Sequence, residues 1–362
     1  MNNISPKSRY KVAVIGLGFI GKKYLKALYH NPNIKLQVIC DNNETVANEL
    51  LNIYGVARYE QDWRNVVQAD DVDIICICTP NNLHYPVIVS AIRNYKHVIC
   101  EKPLGINTSE SNSIVELIKC TGVQVSCAYN LKYAPSITYI KQLIDSGILG
   151  ELILFKGSYY NGRLADMNLP FEWRMSKEYS LGGSLNDLAI NILSISQYLI
   201  GDIKSVCGMS KIIYPARIDN EGVLREVENE DVAQFMFLYN NDAMGYISSS
   251  RVAAGSMQNM QFEIQFAKGS IKYSLERINE IHLYRVGDEG FTKIMSENGF
   301  GFNIGYEELK DIYINKYIDN LMYAMENITD FEFAIKIDNT IAAVIESANT
   351  MQWVNVGDTS II

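Results

Sequence analysis

Residues 11–21 read Lys11-Val12-Ala13-Val14-Ile15-Gly16-Leu17-Gly18-Phe19-Ile20-Gly21, a strand-like apolar run followed by three spaced glycines. Tyr24, Leu25 and Leu28 then recur at helical spacing. Because glycine is common, the spacing Gly-x-Gly-x-x-Gly is a weak signal by itself. Its position between a strand and a helix favours a turn that binds the pyrophosphate of a dinucleotide at a helix N-terminus. A turn that serves only the backbone is the other interpretation.

An acidic residue follows at the distance that such a turn requires. Asp41 lies 20 residues beyond Gly21, at the end of the apolar run Leu36–Cys40, and its carboxylate would accept hydrogen bonds from ribose hydroxyls. Asn42 and Asn43 come next and no arginine is adjacent, so a 2′-phosphate would be repelled. We therefore expect Asp41 and Asn42 to bind NAD, and NADP to bind less well.

The first 128 residues alternate strand-like and helix-like segments. Strands are predicted at 11–15, 36–40, 73–78, 97–100 and 123–127, with helical patterns between them. The run 73–78 is continuously apolar, which is typical of a strand buried on both faces. We expect domain 1–128 to be a doubly wound parallel sheet of the Rossmann type, with helices on both faces.

The pattern changes beyond residue 128. Runs such as Val232–Tyr239 and Gln261–Phe266 alternate apolar and polar residues, and 240–242 and 268–269 are typical of hairpin turns. Helices are predicted at 134–146, 181–199, 307–327 and 335–354. We expect residues 129–362 to form an α+β domain with mainly antiparallel strands, within an α/β protein; the large open sheet is implied by the family resemblance described below.

Composition and charge exclude several classes of function. The 362 residues are 48% hydrophobic with a net charge of −9 and a pI near 5.1, so nucleic acid is not an expected partner. The four histidines are scattered without a metal-binding spacing, and the seven cysteines lack Cys-x-x-Cys. Residues 1–10 are polar, and no apolar stretch approaches the ~20 residues that span a bilayer. We expect a cytoplasmic protein with no metal and no membrane partner.

Two motifs follow neighbouring strands of the predicted parallel sheet. They are Thr79-Pro80-Asn81-Asn82-Leu83-His84 and Glu101-Lys102-Pro103. Open α/β sheets bind ligands at such strand ends. Lys102 would hydrogen-bond a substrate oxygen and exchange its proton, provided that burial and an oxidised nicotinamide lower its pKa. The alternatives are a surface lysine and, for His84, a local hydrogen bond at a helix start.

These motifs, in order with Gly182-Gly183-x-x-x-Asp187, resemble those of the glucose–fructose oxidoreductase/inositol dehydrogenase (Gfo/Idh/MocA) family over essentially the whole chain. The resemblance implies a Rossmann domain followed by an α/β domain on a large open sheet. It also implies NAD(P)-dependent hydride transfer to or from a carbon of a sugar, sugar nucleotide or cyclitol. In such proteins the lysine of Glu-Lys-Pro lies beside the reacting hydroxyl, which assigns that role to Lys102.

The motifs and the resemblance together define two sets of binding residues. The cofactor set is Gly16, Gly18, Phe19, Ile20, Gly21, Asp41, Asn42, Thr79, Pro80, Asn81, His84, Glu101, Lys102, Asn130, Trp173 and Arg174. The substrate set is Lys102, Tyr129, Lys132, Tyr160, Asp187 and Asn191. For Lys132, a solvated cation at a helix start is the alternative.

One position departs from the family pattern Gly-Gly-x-x-x-Asp-x-x-x-His. Asn191 replaces the histidine four residues after Asp187, so the two side chains share one face of a helix. An amide does not exchange a proton near neutral pH. In one interpretation Lys102 serves alone while Asp187 and Asn191 orient the substrate. In a second, a phenol replaces the histidine, and the candidates are Tyr159, Tyr160 and Tyr179. In a third, the protein is no longer a catalyst.

We expect an NAD-dependent dehydrogenase for a secondary alcohol or ketone of a sugar, sugar nucleotide or cyclitol. Lys102, Asp187 and Asn191 would be its catalytic residues. Two alternatives stay open: a catalytically silent NAD(P)-binding sensor, which Asn191 favours, and an enzyme that acts on a C=N or C=C bond. An open sheet has one wide face to cover and face-to-face packing is the habit of the family, so we expect a homodimer or homotetramer.

Overall fold

The computed structural model describes residue 7 and residues 9–105, 108–296, 303–323 and 330–357. The chain divides into two compact units. The first combines residues 1–130 with 307–338, and the second combines 131–306 with 339–362. Within the described residues, no helix has the length and apolar content needed to cross a bilayer.

The described elements follow one another in this order. The strands are β1 (Tyr10–Ile15), β2 (Ile34–Cys40), β3 (Arg58–Glu60), β4 (Ile74–Ile77), β5 (His97–Cys100), β6 (Val125–Cys127), β7 (Leu152–Tyr160), β8 (Ile203–Lys211), β9 (Ala216–Ile218), β10 (Leu224–Glu226), β11 (Val232–Tyr239), β12 (Met244–Ser250), β13 (Asn259–Phe266), β14 (Gly269–Ser274), β15 (Glu280–Arg285), β16 (Thr292–Met295) and β17 (Val354–Asn355). The helices are α1 (Phe19–Tyr29), α2 (Glu44–Tyr54), α3 (Trp63–Gln68), α4 (His84–Arg93), α5 (Thr108–Thr121), α6 (Pro135–Asp145), α7 (Ile190–Ile200), α8 (Glu308–Tyr323) and α9 (Asp330–Thr350).

The first unit is built on a parallel six-stranded sheet in the order β3-β2-β1-β4-β5-β6. The predicted doubly wound parallel sheet is therefore confirmed. Every residue of β4 and β5 is buried, as a continuously apolar run in a sheet covered on both faces requires.

The first unit also contains a segment from late in the chain. The sequence predicts a single domain for all of 129–362, whereas residues 307–338 pack in the first unit. Two tyrosines four residues apart on α8 account for this. Tyr313 and Ser126 share a hydrogen bond of 2.7 Å between their hydroxyls, and the Tyr317 hydroxyl donates to the Gln124 carbonyl at 2.9 Å. An amphipathic helix does not encode in its own sequence which sheet it will cover.

The second unit is built on a nine-stranded sheet in the order β16-β15-β14-β13-β7-β12-β11-β8-β17. The β7–β12 pair is parallel and the other pairs are antiparallel, so the predicted mainly antiparallel sheet is confirmed. Helix α7 covers one face closely: a side chain at Gly157 would place its Cβ 2.7 Å from Ile192. A separate two-stranded sheet pairs β9 with β10.

Several predicted boundaries differ from those in the structure. The predicted helix 307–327 corresponds to α8, and its residues 324–327 lie outside the described residues. The predicted helix 335–354 corresponds to α9, which ends at Thr350 and is followed by β17. Strand β8 was not predicted, because its Ser, Lys and Gly residues weaken the alternation of apolar and polar residues.

Candidate functional site

Four strand ends of the first unit lie side by side. Ile15 pairs with Cys40 on one neighbouring strand and with Ile77 on the other, and Ile77 pairs with Cys100. The segments that follow these residues leave the sheet along one edge and carry the glycine turn, Asp41, Thr79 and Lys102. The winding of the sheet reverses between β1 and β4, and such a switch point is where open α/β sheets bind ligands.

The glycine turn has no room for side chains at two of its three glycines. Gly16 has a φ of +90°, and a Cβ there would lie 2.6 Å from the Cys78 carbonyl oxygen. A Cβ at Gly21 would lie 1.9 Å from the Gly16 carbonyl oxygen. Gly18 has open space around it, next to the start of α1, so an anion can approach the backbone there. The turn therefore fits the pyrophosphate of a dinucleotide.

Asp41 is held by two backbone amides. The Leu17 N–H donates to Oδ2 at 2.6 Å and the Asn43 N–H donates to Oδ1 at 2.8 Å. Each carboxylate oxygen accepts more than one hydrogen bond, so ribose hydroxyls remain acceptable donors. Asn42 is exposed beside it. This arrangement fits the ribose side of the same dinucleotide.

Two buried polar atoms at the end of β4 have no hydrogen-bond partner among the described residues. They are Thr79 Oγ1 and Asn82 Oδ1. Buried polar atoms are almost always paired, so these two point to a polar ligand. The predicted cofactor set contains Asn81 and not Asn82, because the motif Thr-Pro-Asn-x-x-His specifies only the first of the two asparagines.

His84 holds two loops together. Its buried ring places Nδ1 2.6 Å from the Pro103 carbonyl oxygen and Nε2 3.1 Å from the Thr79 carbonyl oxygen. Burial lowers the pKa of His84, and the contacts with the two carbonyls oppose that shift. Each contact is a hydrogen bond when the ring nitrogen concerned carries a proton. The ring therefore connects the Thr79 loop to the Lys102 loop. The cofactor contact of His84 stays a prediction; in the structure both ring nitrogens face backbone carbonyls.

Glu101 forms a buried ion pair with a residue that the sequence analysis missed. Lys310 Nζ, on α8, contacts Glu101 Oε1. The same ammonium lies 4.6 Å from the centroid of the Tyr24 ring. Burial by itself would raise the pKa of Glu101, but the charge and hydrogen bond of Lys310, with the charge of Lys102, hold it below its usual value. No local pattern links positions 101 and 310.

A second side chain from late in the chain holds the loop after Lys102. Asp338 Oδ2, on α9, accepts the Leu104 N–H at 3.2 Å and the Ser111 hydroxyl at 2.9 Å. Burial raises the pKa of Asp338 to about 7. The carboxyl therefore gains a charge near neutral pH in a place where it supports the Lys102 loop.

We expect Asp338 to make folding less favourable as the pH rises. Its folded pKa of about 7 exceeds its ordinary value of 3.8, so the native state binds more protons between these values. The free energy of unfolding then falls with increasing pH, by up to about 1.4 kcal/mol per pH unit, until the pH passes 7. Urea unfolding of the wild type and of Asp338→Asn between pH 5.5 and 8.5 measures this. A constant difference between the two proteins across that range contradicts the assignment.

The second unit brings together Arg174 and Asp187. Arg174 Nε lies 3.5 Å from Asp187 Oδ1, and the guanidinium lies 4.2 Å from the centroid of the Trp173 ring. Trp173 and Arg174 were predicted as cofactor residues, and Asp187 as a substrate residue. Within this unit, Arg174 compensates the charge of the aspartate.

Glu230 holds the start of the helix that carries Asp187. Its Oε1 accepts the Leu185 N–H at 2.8 Å, and its backbone carbonyl accepts the Ser184 N–H at 2.9 Å. A Cβ at Gly183 would lie 2.0 Å from that carbonyl oxygen, which explains the glycine of the motif. Burial raises the pKa of Glu230. The sequence analysis missed this residue because it lies on a different segment from the motif.

Asn191 presents only an acceptor beyond its own helix. Its Nδ2 donates to the Asp187 carbonyl at 2.9 Å and to the Leu188 carbonyl at 3.3 Å. If the amide were flipped, Oδ1 would face the two carbonyl oxygens and form no hydrogen bond with them. The amide is therefore oriented with Nδ2 toward the carbonyls. Both carbonyls belong to the π-helical turn Leu185–Ala189, which directly precedes α7. Asn191 Oδ1 is left to accept a hydrogen bond, and the residue has no proton to exchange.

The three predicted phenols differ in their placement. Tyr159 faces α7, donates to Gln258 Oε1, and has a pKa that burial raises far from the neutral range. Tyr160 lies on the opposite face of the sheet, where its hydroxyl donates to Ser248 Oγ at 3.1 Å. The prediction that Tyr160 shares a site with Asn191 is therefore wrong, because side chains alternate along β7. Tyr179 is exposed.

The remaining predicted residues lie near residue 130. Tyr129 is buried in the first unit, with its ring edge-on to Phe333 at 5.7 Å between centroids. Asn130 opens the short helical turn Asn130–Tyr133. Lys132 Nζ lies 5.1 Å from the centroid of the Tyr133 ring, as a cation packed on an aromatic face.

Comparisons with known proteins find matches for both parts of the chain. Residues 10–129 match the family described as "Oxidoreductase family, NAD-binding Rossmann fold", and residues 137–272 match the "GFO/IDH/MocA C-terminal domain". Levoglucosan dehydrogenase from Pseudarthrobacter phenanthrenivorans is 27% identical, over 95% of this chain and 97% of its own. The scyllo-inositol 2-dehydrogenase (NAD(+)) of Bacillus subtilis is 25% identical, over 94% of this chain and 95% of its own.

A solved structure shows the same fold. Levoglucosan dehydrogenase in complex with NADH superposes with a TM-score of 0.90 at 27% identity, over 96% of this chain and 99% of that chain. Both units of the chain thus have counterparts among sugar and inositol dehydrogenases. The chain belongs to the Gfo/Idh/MocA family of oxidoreductases.

Proposed function

We propose that the protein is an NAD-dependent dehydrogenase for a secondary alcohol or ketone of a sugar, sugar nucleotide or cyclitol. The observation that carries the proposal is the alignment of four strand ends, which brings the glycine turn, Asp41, Thr79 and Lys102 to one edge of the sheet. When bound there, the nicotinamide cofactor supplies or accepts the hydride. Levoglucosan dehydrogenase and scyllo-inositol 2-dehydrogenase, both family members, support the substrate class.

The chain's own residues divide the remaining work. Lys102, half-buried after β5, takes the hydroxyl proton on oxidation and returns it on reduction. Asp187, compensated by Arg174, and Asn191, through Oδ1, accept hydrogen bonds from hydroxyls that do not react. Of the three interpretations of Asn191, we therefore favour the one in which Lys102 acts alone. The second unit then serves to orient the substrate.

A panel of substrates tests the proposal. The protein is incubated with NAD and, separately, levoglucosan, scyllo-inositol, myo-inositol, glucosides and sugar nucleotides, while absorbance at 340 nm is followed. Turnover of at least one polyol is expected. NADH binding without turnover of any compound, in either direction, would overturn the proposal in favour of the binding-only sensor. Asn191 is the observation that keeps this second candidate in place, since it supplies no proton.

NAD is the expected cofactor rather than NADP. Exchange of Asp41 for alanine should raise the dissociation constant of NADH by roughly 10–100-fold, because hydrogen bonds to a charged carboxylate are each worth about 1.5–3 kcal/mol. Quenching of NADH fluorescence measures the constant. Glu116→Ala, which removes an exposed acid of the same unit, should leave it unchanged. Equal affinity of the wild type for NADH and NADPH would contradict the role of Asp41.

We propose a homodimer or homotetramer that uses the sheet face opposite α7. This face carries a cavity of about 550 Å³, lined by Lys156, Tyr160, Tyr246, Glu263 and His282 among others. Exposed Met236, Met244 and Tyr246 lie on the same face. Sedimentation at micromolar concentration should show a dimer or larger, and a clean monomer would contradict the proposal. We also propose a cytoplasmic location, for which the seven free cysteines are the support.

A further inference from the structure

We propose that Lys310 is a positioning residue for Lys102, because it holds the Glu101 carboxylate and offsets the negative charge that Glu101 presents to its neighbour in the chain. The inference rests on the proposed role of Lys102 as the group that exchanges the hydroxyl proton. It adds to that role a residue from the last quarter of the chain, which is far from Glu101 in sequence.

The geometry of the pair is that of a fixed, buried contact. The side chains of Lys310 and Glu101 are 11% and 14% exposed. Nζ of Lys310 contacts Glu101 Oε1 on one side and lies over the Tyr24 ring, at 4.6 Å, on the other. A buried carboxylate needs a partner, and an ammonium packed between a carboxylate and an aromatic face has few other positions.

Among the described residues, two cations share the Glu101 carboxylate. The titratable groups that interact with Glu101 are Lys310 from α8, Lys102 from its own loop, His84 from α4, Tyr24 from α1, Cys78 after β4, Cys100 from β5 and Tyr129 after β6. Burial raises the pKa of Glu101, while Lys310 and Lys102 lower it. Because the interaction is mutual, Glu101 stabilises the protonated form of Lys102, and removal of Lys310 takes away the positive charge that offsets this effect.

The rest of the loop has its own supports. His84 contacts the Pro103 carbonyl, and Asp338 accepts the Leu104 N–H. Removal of Lys310 therefore changes the electrostatic partner of Glu101 while the loop backbone keeps two anchors. We therefore expect a change in the pKa of Lys102 to come from the altered charge and not from a displaced loop backbone.

Titration of Lys102 tests the inference without any substrate. Reductive methylation with ¹³C-formaldehyde labels the lysines, and the Lys102 signal is the one absent from Lys102→Arg. In Lys310→Met, the apparent pKa of Lys102 should rise by about one unit. In the double variant Lys310→Met/Glu101→Gln, it should return to the wild-type value, because both charges are gone.

Two further variants keep the test decisive. Lys96→Met removes another buried lysine of the same unit, one that donates to the Ala69 and Val72 carbonyls before β5, and it should leave the Lys102 titration unchanged. If Lys310→Met does not fold, Glu101→Gln alone should shift the Lys102 pKa in the opposite direction, downward. An unchanged titration in Lys310→Met, or a shift that persists in the double variant, overturns the inference.

The outcomes separate this inference from the proposed function. Where a substrate has been found, Lys310→Met should move the limb of the pH profile for oxidation to higher pH by the same amount, with an unchanged dissociation constant for NADH. A titration shift without turnover of any compound would contradict the proposed function. It would still support the electrostatic effect of Lys310 and Glu101 on Lys102. Turnover of a substrate with no titration shift would support the proposed function and overturn the positioning role of Lys310.

Discussion

Lys102→Ala should lower kcat by about 10²–10⁴-fold, the contribution that general acid–base groups make, while the dissociation constant of NADH stays nearly unchanged. The residue follows β5, between Glu101 and Pro103, which Lys310 and His84 hold in place. Its removal takes away the group proposed to exchange the hydroxyl proton and leaves the glycine turn intact. Steady-state kinetics at 340 nm, with fluorescence titration of NADH, separate the two effects. Near-normal turnover would contradict the assignment of Lys102 as the proton-exchanging group.

Rescue by added amines distinguishes a proton carrier from a structural lysine. Methylamine or ethylamine should restore part of the activity of Lys102→Ala, because a small amine exchanges the proton that the missing side chain no longer does. Lys119→Ala serves as the matched control. That lysine is exposed on α5 and pairs with Glu116, so its loss should change neither kcat nor the response to amines.

Arg251→Met should lower the free energy of unfolding by about 3–5 kcal/mol, since it leaves a buried carboxylate without its cation. Arg251 is 2% exposed. Its Nε donates to Asp231 Oδ1 at 2.8 Å, and its Nη2 donates to the Asn229 carbonyl at 2.9 Å. Urea unfolding measures the loss. Arg225→Met, which breaks an exposed pair with Asp219, should leave unfolding unchanged within error.

The same substitution should also weaken substrate binding selectively. Arg251 Nη1 donates to the Arg174 carbonyl at 3.2 Å, and a Cβ at Gly183 would lie 2.8 Å from that nitrogen. The guanidinium therefore supports both Arg174 and the glycine motif before Asp187. At temperatures where the variant is folded, KM for the substrate should rise while the dissociation constant of NADH stays constant. An equal effect on both would show a general loss of order instead.

The parts of the fold that were predicted correctly are those with local causes. The glycine turn is a strand, a tight turn and a helix start within residues 11–21, and each step depends on residues next to one another. The apolar runs that form β4 and β5 can be predicted from the sequence, because a strand buried on both faces is apolar at successive positions. The hairpin turn at 240–242 carries its own signal, including an Asp242 with a φ of +62°.

Partners that come from distant segments could not be predicted in this way. Lys310 and Glu101 are 209 positions apart, and Asp338 is 234 positions from Leu104. The sequence of α8 shows an amphipathic helix but not the sheet that it covers. The face taken by Tyr160 depended on the register of β7, where a shift of one residue exchanges the two faces.

Residue types and their spacing by themselves determined the family, the parallel sheet, the dinucleotide turn and the inability of Asn191 to exchange a proton. Only the tertiary structure shows that the Asn191 side chain offers a hydrogen-bond acceptor and that His84 contacts two loops. It also shows that Lys310 and Asp338 support the Lys102 loop. The physical reason is the distance along the chain over which each kind of interaction acts. Turn and strand preferences act between chain neighbours, whereas buried charges and amides are paired by whichever segments the folded chain brings into contact.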